Sequence, residues 1–201
     1  LDLAGFNTQN VLSYKNIFSG CISLTSLDLS AFTTSKANNM SNMFKNLLNC
    51  EVVLVDDLNG WDVSSVTNSE NMFSNCVKLR NFDSLHTDLT RANVDAENGY
   101  LTPYRFKDGL SIVINSTDAV VELMNINTNA KIDVNSRLSY GDKVRINVST
   151  DSDKQVKSLK VCGVDFVNGG VVCVNNDLVV DVVAKTRQGV LSRDFSSLIG
   201  V

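Results

Sequence analysis

The chain has 201 residues, of which 43% are hydrophobic and 20% are charged, proportions typical of a folded globular protein. The formal net charge is −4 with a pI near 4.9, and lysine and arginine are scattered without forming a basic patch. Nucleic acid is therefore excluded as an expected partner, because binding to phosphates depends on clustered positive charge. No apolar run approaches the roughly 20 residues that cross a bilayer, so no transmembrane segment is predicted.

The N-terminal half contains internal repeats. Residues 21–44 and 50–73 have the same length and align without a gap, from a cysteine to a Met-Phe pair. This alignment places Leu24 over Val53, Leu29 over Leu58, Phe32 over Trp61 and Phe44 over Phe73. Phe18 falls in the column of Phe44, so the chain begins inside a repeat. A third copy begins at Cys76 and loses its large apolar residues between about 85 and 99, where we place the end of the array.

The repeats carry a recognisable consensus. From Cys21 to Ser35 the chain reads Cys-x-x-Leu-x-x-Leu-Asp-Leu-Ser-x-Phe-x-Thr-Ser. Over residues 1 to about 85 this pattern resembles the BspA-type leucine-rich repeats of bacterial and protozoan surface proteins. The resemblance implies a leucine-rich-repeat solenoid of short parallel β-strands joined by turns or short helices. In the second copy, residues 46–49 appear as an insertion between Phe44 and the next cysteine, where we expect a bulge.

Alternate side chains of each repeat strand point outward. The outward column of the alignment contains one acid per repeat, namely Asp2, Asp28, Asp57 and Asp83. These acids indicate either a face that binds a cationic group or Ca²⁺, or carboxylates that serve only the turns of their own repeats. The second interpretation is favoured and no metal site is predicted, because the looped Asp-x-Asp-x-Asp spacing typical of calcium sites is absent. The predicted ligand-binding face consists of Thr25, Ser26, Asp28, Ser30, Asp57 and Asn59.

Asparagine and cysteine also recur at repeat positions. Asn16, Asn42 and Asn71 precede the apolar pair of each repeat and are predicted to start a turn or short helix. Cys21, Cys50 and Cys76 share one column of the alignment and are predicted to be buried structural thiols, since zinc needs four converging ligands. Cys162 and Cys173 flank a predicted hairpin at 163–170, and the spacing leaves open whether they form a disulfide.

The chain offers little for catalysis. His86 is the only histidine, and no Gly-x-Ser-x-Gly motif or glycine-rich phosphate-binding fingerprint is present. We therefore expect no catalytic residues, no cofactor and no enzymatic activity.

The second half changes pattern. Residues 100–109 contain the only proline of the sequence and are predicted to be a linker. The linker joins the repeats and their cap, at 1–99, to a small all-β domain of the sandwich-like or Ig-like kind, at 110–187. Residues 188–201 are predicted to be a tail or the start of the next segment. Six strands are predicted, at 110–115, 119–124, 143–150, 156–161, 170–174 and 178–183. Residues 140–148, 156–163 and 176–180 resemble the B-repeats of internalins, which implies a spacer.

These patterns predict an extracellular binding or adhesion module of a bacterial-type surface protein. It is expected to be secreted to the cell surface, to be monomeric as a fragment, and to bind a host or neighbouring-cell protein or glycan through the exposed strand face. The alternative is a structural or receptor-binding component of a bacteriophage virion, such as a fibre, which would be trimeric.

Overall fold

A computed structural model describes residues 1–187 of the chain, and the tail predicted at 188–201 lies outside the described residues. The chain divides into two compact units. The first unit contains Leu1–Leu110 and Ser139–Gly141, and the second contains Ser111–Leu138 and, among the described residues, 142–187.

The first unit contains one small parallel sheet. Its strands are β1 (Ser26–Leu29), β2 (Val52–Val55) and β3 (Thr102–Pro103), in that order across the sheet. Two short 3₁₀ helices, Leu89–Arg91 and Tyr104–Phe106, lie on either side of β3 along the chain. Leu27 and Leu29 of β1 are buried, and the other two residues of that strand are exposed. This alternation is expected of a strand with one buried face, because successive side chains point to opposite sides.

Tight turns make up most of the first unit, and they recur from repeat to repeat. Asn16, Asn42 and Asn71 all have positive φ, at 59°, 54° and 54°. Asparagine tolerates this left-handed conformation better than most residues, which explains its recurrence at this position. The predicted role of these asparagines in turns is confirmed, and no helix begins at them.

Three phenylalanines form the centre of the first unit. The rings of Phe18 and Phe44 stack with centroids 6.0 Å apart, and those of Phe44 and Phe73 stack at 5.1 Å. Backbone hydrogen bonds join the same repeats, since the Phe18 amide donates to Met43 at 3.0 Å and the Phe44 amide donates to Met72 at 2.9 Å. The ring column predicted from the alignment is therefore present in the core.

The prediction of a leucine-rich-repeat solenoid is wrong. Residues 1–187 form a mostly β structure with three small sheets, two 3₁₀ helices and no α-helix. Only two repeats contribute a strand, and the third strand of their sheet comes from Thr102–Pro103, after the repeats. Of the turns or short helices expected between the strands, the left-handed asparagines form tight turns, because a left-handed residue interrupts a right-handed helix.

The alignment of the first two repeats was also wrong at the strands. Leu27 pairs with Val53 and Leu29 pairs with Val55, so Leu58 does not occupy the column of Leu29. The extra residues of the second repeat lie after β2, where 56–60 precede Trp61, whereas only 30–31 separate β1 from the equivalent Phe32. The bulge expected at 46–49 is absent, because Phe44 and β2 have the same separation in sequence as Phe18 and β1.

This shift separates the three repeat cysteines. The amides of Cys21, Leu47 and Cys76 donate to the carbonyls of Phe18, Phe44 and Phe73 respectively. Leu47 thus takes the position expected for Cys50. Cys50 lies one turn later, in the position of Leu24 and Leu79. The prediction that the three thiols share a column is wrong, although Cys50 and Cys76 are buried as expected.

The second unit consists of two four-stranded sheets in a sandwich-like arrangement. One sheet has the order β10-β7-β5-β6 and the other β4-β11-β8-β9. The strands are β4 (Ile112–Thr117), β5 (Val120–Asn125), β6 (Lys131–Ile132), β7 (Lys143–Ser149), β8 (Lys154–Val161), β9 (Val164–Asp165), β10 (Val171–Cys173) and β11 (Leu178–Thr186). All six predicted strands are present, and β6 and β9 were not predicted. The core of the second unit contains alternating buried residues of the long strands, including Val144 and Ile146 of β7 and Val180 and Val182 of β11.

The hairpin predicted at 163–170 is wrong. The turn lies at Cys162 and Gly163, which connect β8 to its antiparallel neighbour β9. Both residues have positive φ, at 50° and 80°, the requirement of a two-residue type I′ hairpin turn. β10 belongs to the other sheet and pairs with β7. Cys162 therefore lies in the turn after β8, and Cys173 lies on β10 of the other sheet.

Candidate functional site

The three strands of the first unit end at a common edge, and residues that follow them line two pockets. The first pocket, of about 360 Å³, is lined by Ser30, Asp56, Asp57, Leu58, Tyr104 and Arg105. The second, of about 170 Å³, is lined by Leu1, Asp2, Leu3, Ala4, Asp28, Ser30, Ala31 and Tyr104. Because Ser30 and Tyr104 line both pockets, we treat them as one surface, the Tyr104 groove.

The residues between β2 and Trp61 form one wall of this groove. Asp56 closes this loop, since its Oδ1 accepts hydrogen bonds from the amides of Leu58 at 3.1 Å and Asn59 at 3.3 Å. Gly60 anchors the far end of the loop to the core, because its carbonyl accepts from the amide of the buried Thr34 at 2.9 Å. The loop therefore holds Leu58 at its tip, where the residue is 72% exposed.

Residues of the 3₁₀ helix that follows β3 also line the groove. Tyr104 is 36% exposed, and Arg105 donates from Nη1 to Asp57 Oδ2 at 2.5 Å. The Arg105 guanidinium also lies 4.8 Å from the ring centre of Phe106. The Asp57 side chain is only 12% exposed, so this ion pair fixes the loop after β2 to the segment after β3.

Two carboxylates, that of Asp2 near the start of the chain and that of Asp28 on β1, also line the groove. Asp2 Oδ1 accepts from the Ala4 amide at 3.0 Å, and Asp28 Oδ1 accepts from the Ser30 amide at 2.9 Å. The second oxygen of each carboxylate makes no hydrogen bond to residues 1–187. The nearby Lys107 donates to Asp108 at 2.9 Å. This hydrogen bond chiefly raises the pKa of Lys107, and the charge of Asp28 adds a smaller contribution.

Half of the predicted ligand-binding residues meet in the groove. Asp28, Ser30 and Asp57 line it, whereas the remaining three, Thr25, Ser26 and Asn59, line neither pocket. The predicted face did not include the other lining residues, among them Asp56, Leu58, Tyr104 and Arg105. The signal that could have identified residues 56–58 and 104–105 is their position directly after β2 and β3, because parallel strands end at the same side of a sheet.

The predicted outward column of acids is wrong. Asp28 pairs across the sheet with Leu54, and Asp57 lies in the loop after β2. Asp83 lines neither pocket. It accepts from the Leu85 amide, which chiefly lowers its pKa, and lies 2.7 Å from His86 Nδ1, which lowers it further.

The buried thiols belong to the core. Burial raises the pKa of Cys76 to about 12, and its Sγ donates to the Phe44 carbonyl at 3.0 Å. Burial also raises the pKa of Cys50. Both sulfurs therefore stay protonated at neutral pH, which makes them poor nucleophiles. Within residues 1–187, no group of three or more histidine, cysteine, aspartate or glutamate residues is arranged to hold a metal ion.

The repeats match a known family model. Residues 1–100 match the family described as "Mycoplasma protein of unknown function, DUF285". The chain is similar to the DUF285 family. The matched DUF285 region contains β1, β2 and the phenylalanine column, and the match is consistent with a BspA-type surface protein. Because it ends at residue 100, the internalin-like resemblance of the second unit stays a prediction.

No curated protein and no solved structure matches the chain. Residues 1–187 contain no helix of the length and apolarity needed to cross a bilayer.

Proposed function

We propose that the chain is a non-catalytic, extracellular binding module of a BspA-type surface protein. In this proposal the Tyr104 groove contacts a protein or glycan ligand, and the second unit serves as a spacer. The observation that carries the proposal is the groove itself, where exposed Tyr104 and Leu58 lie beside carboxylates at the end of a parallel sheet. A concave surface with apolar walls and a few convergent polar groups is typical of a binding site.

Local hydrogen bonds support a binding role over a catalytic one. Asp2, Asp28 and Asp56 each accept a backbone amide within their own turn, and Asp57 is paired with Arg105. These contacts fix the walls of the groove and leave its shape preorganised, which favours recognition of a ligand. His86, the only histidine in the sequence, lines neither pocket.

Arrays of host proteins and glycans will test the groove. The double variant Tyr104→Ala/Leu58→Ser is expected to bind its array ligands at least about tenfold more weakly than wild type, equivalent to about 1.4 kcal/mol, because it removes both exposed apolar contacts. The matched control is Thr25→Ala/Ser26→Ala, which alters the exposed strand face outside the groove. Loss of binding in the control and not in the groove variant would place the ligand on the strand face.

The oligomeric state separates the adhesin proposal from the virion alternative. We expect sedimentation equilibrium at micromolar concentration to give the mass of one chain, 22.0 kDa. A monomer fits a module that presents one groove per chain. A stable trimer would contradict the expectation and favour the fibre.

A further inference from the structure

We infer that the ligand of the Tyr104 groove is a basic protein segment in which lysine or arginine side chains neighbour apolar ones. The inference rests on the proposed function, because it names the ligand class of the same groove.

The charges of the groove favour a cationic ligand. Four carboxylates, those of Asp2, Asp28, Asp56 and Asp57, line the two pockets, and Arg105 is the only basic residue that does so. Arg105 is already paired with Asp57 at 2.5 Å, and the neighbouring Lys107 is paired with Asp108 at 2.9 Å. The residues that line the groove therefore carry more negative than positive charge, and a lysine or arginine of a ligand would balance the excess.

The apolar walls favour a segment that also carries hydrophobic side chains. Leu58 is 72% exposed at the tip of its loop, and Tyr104 presents 36% of its surface between the two pockets. Covering such side chains removes apolar area from water, which favours binding. The aromatic ring adds a second attraction, since a cation is stabilised over the face of a tyrosine. Lys107 Nζ already lies 5.8 Å from the Tyr104 ring centre.

The same features disfavour the other ligand classes. An acidic segment would place like charges near Asp2 and Asp28, and these charges would repel each other. A neutral glycan can accept and donate hydrogen bonds in the groove, but it leaves the charge excess uncompensated. A basic segment satisfies both the carboxylates and the apolar walls.

Synthetic peptides will test the inference. The probe is an acetylated and amidated peptide of alternating lysine and leucine, compared with the same peptide carrying glutamate in place of lysine. Its Kd is measured by NMR titration of the whole chain at about 20 and 150 mM salt. We expect the lysine peptide to bind more tightly than the glutamate peptide, and its affinity to fall with salt as charges are screened.

Paired variants locate the site. Asp28→Asn is expected to raise the Kd of the lysine peptide up to about fivefold, in line with a solvent-exposed ion pair. Leu58→Ser is expected to raise it about tenfold, because a leucine contact is lost. The controls are Glu70→Gln and Val77→Ser, an exposed acid and an exposed apolar residue of the repeats that line neither pocket. Glu70→Gln matches Asp28→Asn in net charge, and Val77→Ser, like Leu58→Ser, replaces an exposed apolar side chain with serine, so both controls should leave the Kd unchanged.

Equal effects of Asp28→Asn and Glu70→Gln, or tighter binding of the glutamate peptide, would overturn the inference. An array ligand that depends on Tyr104 and Leu58 but is a glycan or an acidic protein would also overturn it, while the proposed function would stand. The proposed function fails in a different way: array ligands then bind the Tyr104→Ala/Leu58→Ser variant as tightly as wild type.

Discussion

Phe44→Ala is expected to lower the free energy of unfolding of the first unit by about 3–5 kcal/mol. Phe44 is fully buried, and its ring stacks on Phe18 at 6.0 Å and on Phe73 at 5.1 Å. It also contacts Trp61, with ring centroids 6.4 Å apart. Removing the middle ring leaves a cavity between two repeats and deletes aromatic contacts on both sides, so the cost falls in the upper range for a core truncation.

Urea unfolding followed by tryptophan fluorescence will measure this loss. Trp61 is the only tryptophan in the sequence and belongs to the first unit, so its fluorescence reports the unfolding of that unit. Phe6→Ala is the matched control, because Phe6 is 61% exposed and its truncation should cost less than about 1 kcal/mol. A loss at Phe44 no larger than that of the control would show that the stacked rings do not hold the repeats together.

The phenylalanine column could be predicted because it rests on repetition alone. Phe18, Phe44 and Phe73 recur with the same neighbours, and similar residues in successive repeats bury their apolar edges against one another. The alternation of Leu27 and Leu29 likewise predicts a half-buried strand, since only one face of a strand can reach the core.

The register of β2 could not be predicted in the same way. Apolar residues occur at 52–55 and again at 58, so the sequence allows Leu29 to be matched with either Val55 or Leu58. The two alignments differ by three residues, an odd number, and an odd shift exchanges the inward and outward faces of a strand. The gapless match of the cysteines favoured the wrong alignment, which is why Leu58 was placed inside and Asp57 on the strand face.

The part of the groove that follows β3, with Tyr104 and Arg105, could not be predicted from the sequence. Thr102–Pro103 joins the sheet through two residue pairs with β2, and nothing in a two-residue segment identifies a strand by periodicity. The surrounding residues, with the only proline of the chain, indicate a linker by composition. Tyr104 and Arg105 acquire their position from pairing over a long sequence separation, which composition does not encode.

The second unit was easier to predict because its strands are long and regular. β7 and β11 alternate buried and exposed residues over most of their length, so their periodicity is clear from sequence. The hairpin was misplaced because the sequence has glycines at 163, 169 and 170, and composition alone does not say which of them closes a two-residue turn.

Gly60→Ala is expected to lower the free energy of unfolding of the first unit by about 1–3 kcal/mol and to weaken binding at the Tyr104 groove. A Cβ atom at this position would lie 2.6 Å from the backbone oxygen of Phe32 and 3.2 Å from Asp56 Cβ. The clash with Phe32 involves backbone, so no side-chain rotation relieves it and the loop must move. That movement displaces Asp56 and Leu58, which the loop holds at the wall of the groove.

Gly5→Ala provides the matched control for this substitution. No heavy atom lies within 4 Å of a Cβ built at Gly5, so alanine there should leave stability unchanged or raise it by up to about 1 kcal/mol through the unfolded chain. Stability comes from urea unfolding with Trp61 fluorescence, and binding comes from the array ligands. Wild-type stability together with wild-type binding in Gly60→Ala would mean that the loop accommodates the extra methyl group without moving its wall. If stability falls and affinity is retained, the groove does not depend on the position of this loop, and its recognition then rests on Tyr104 and the residues that follow β1.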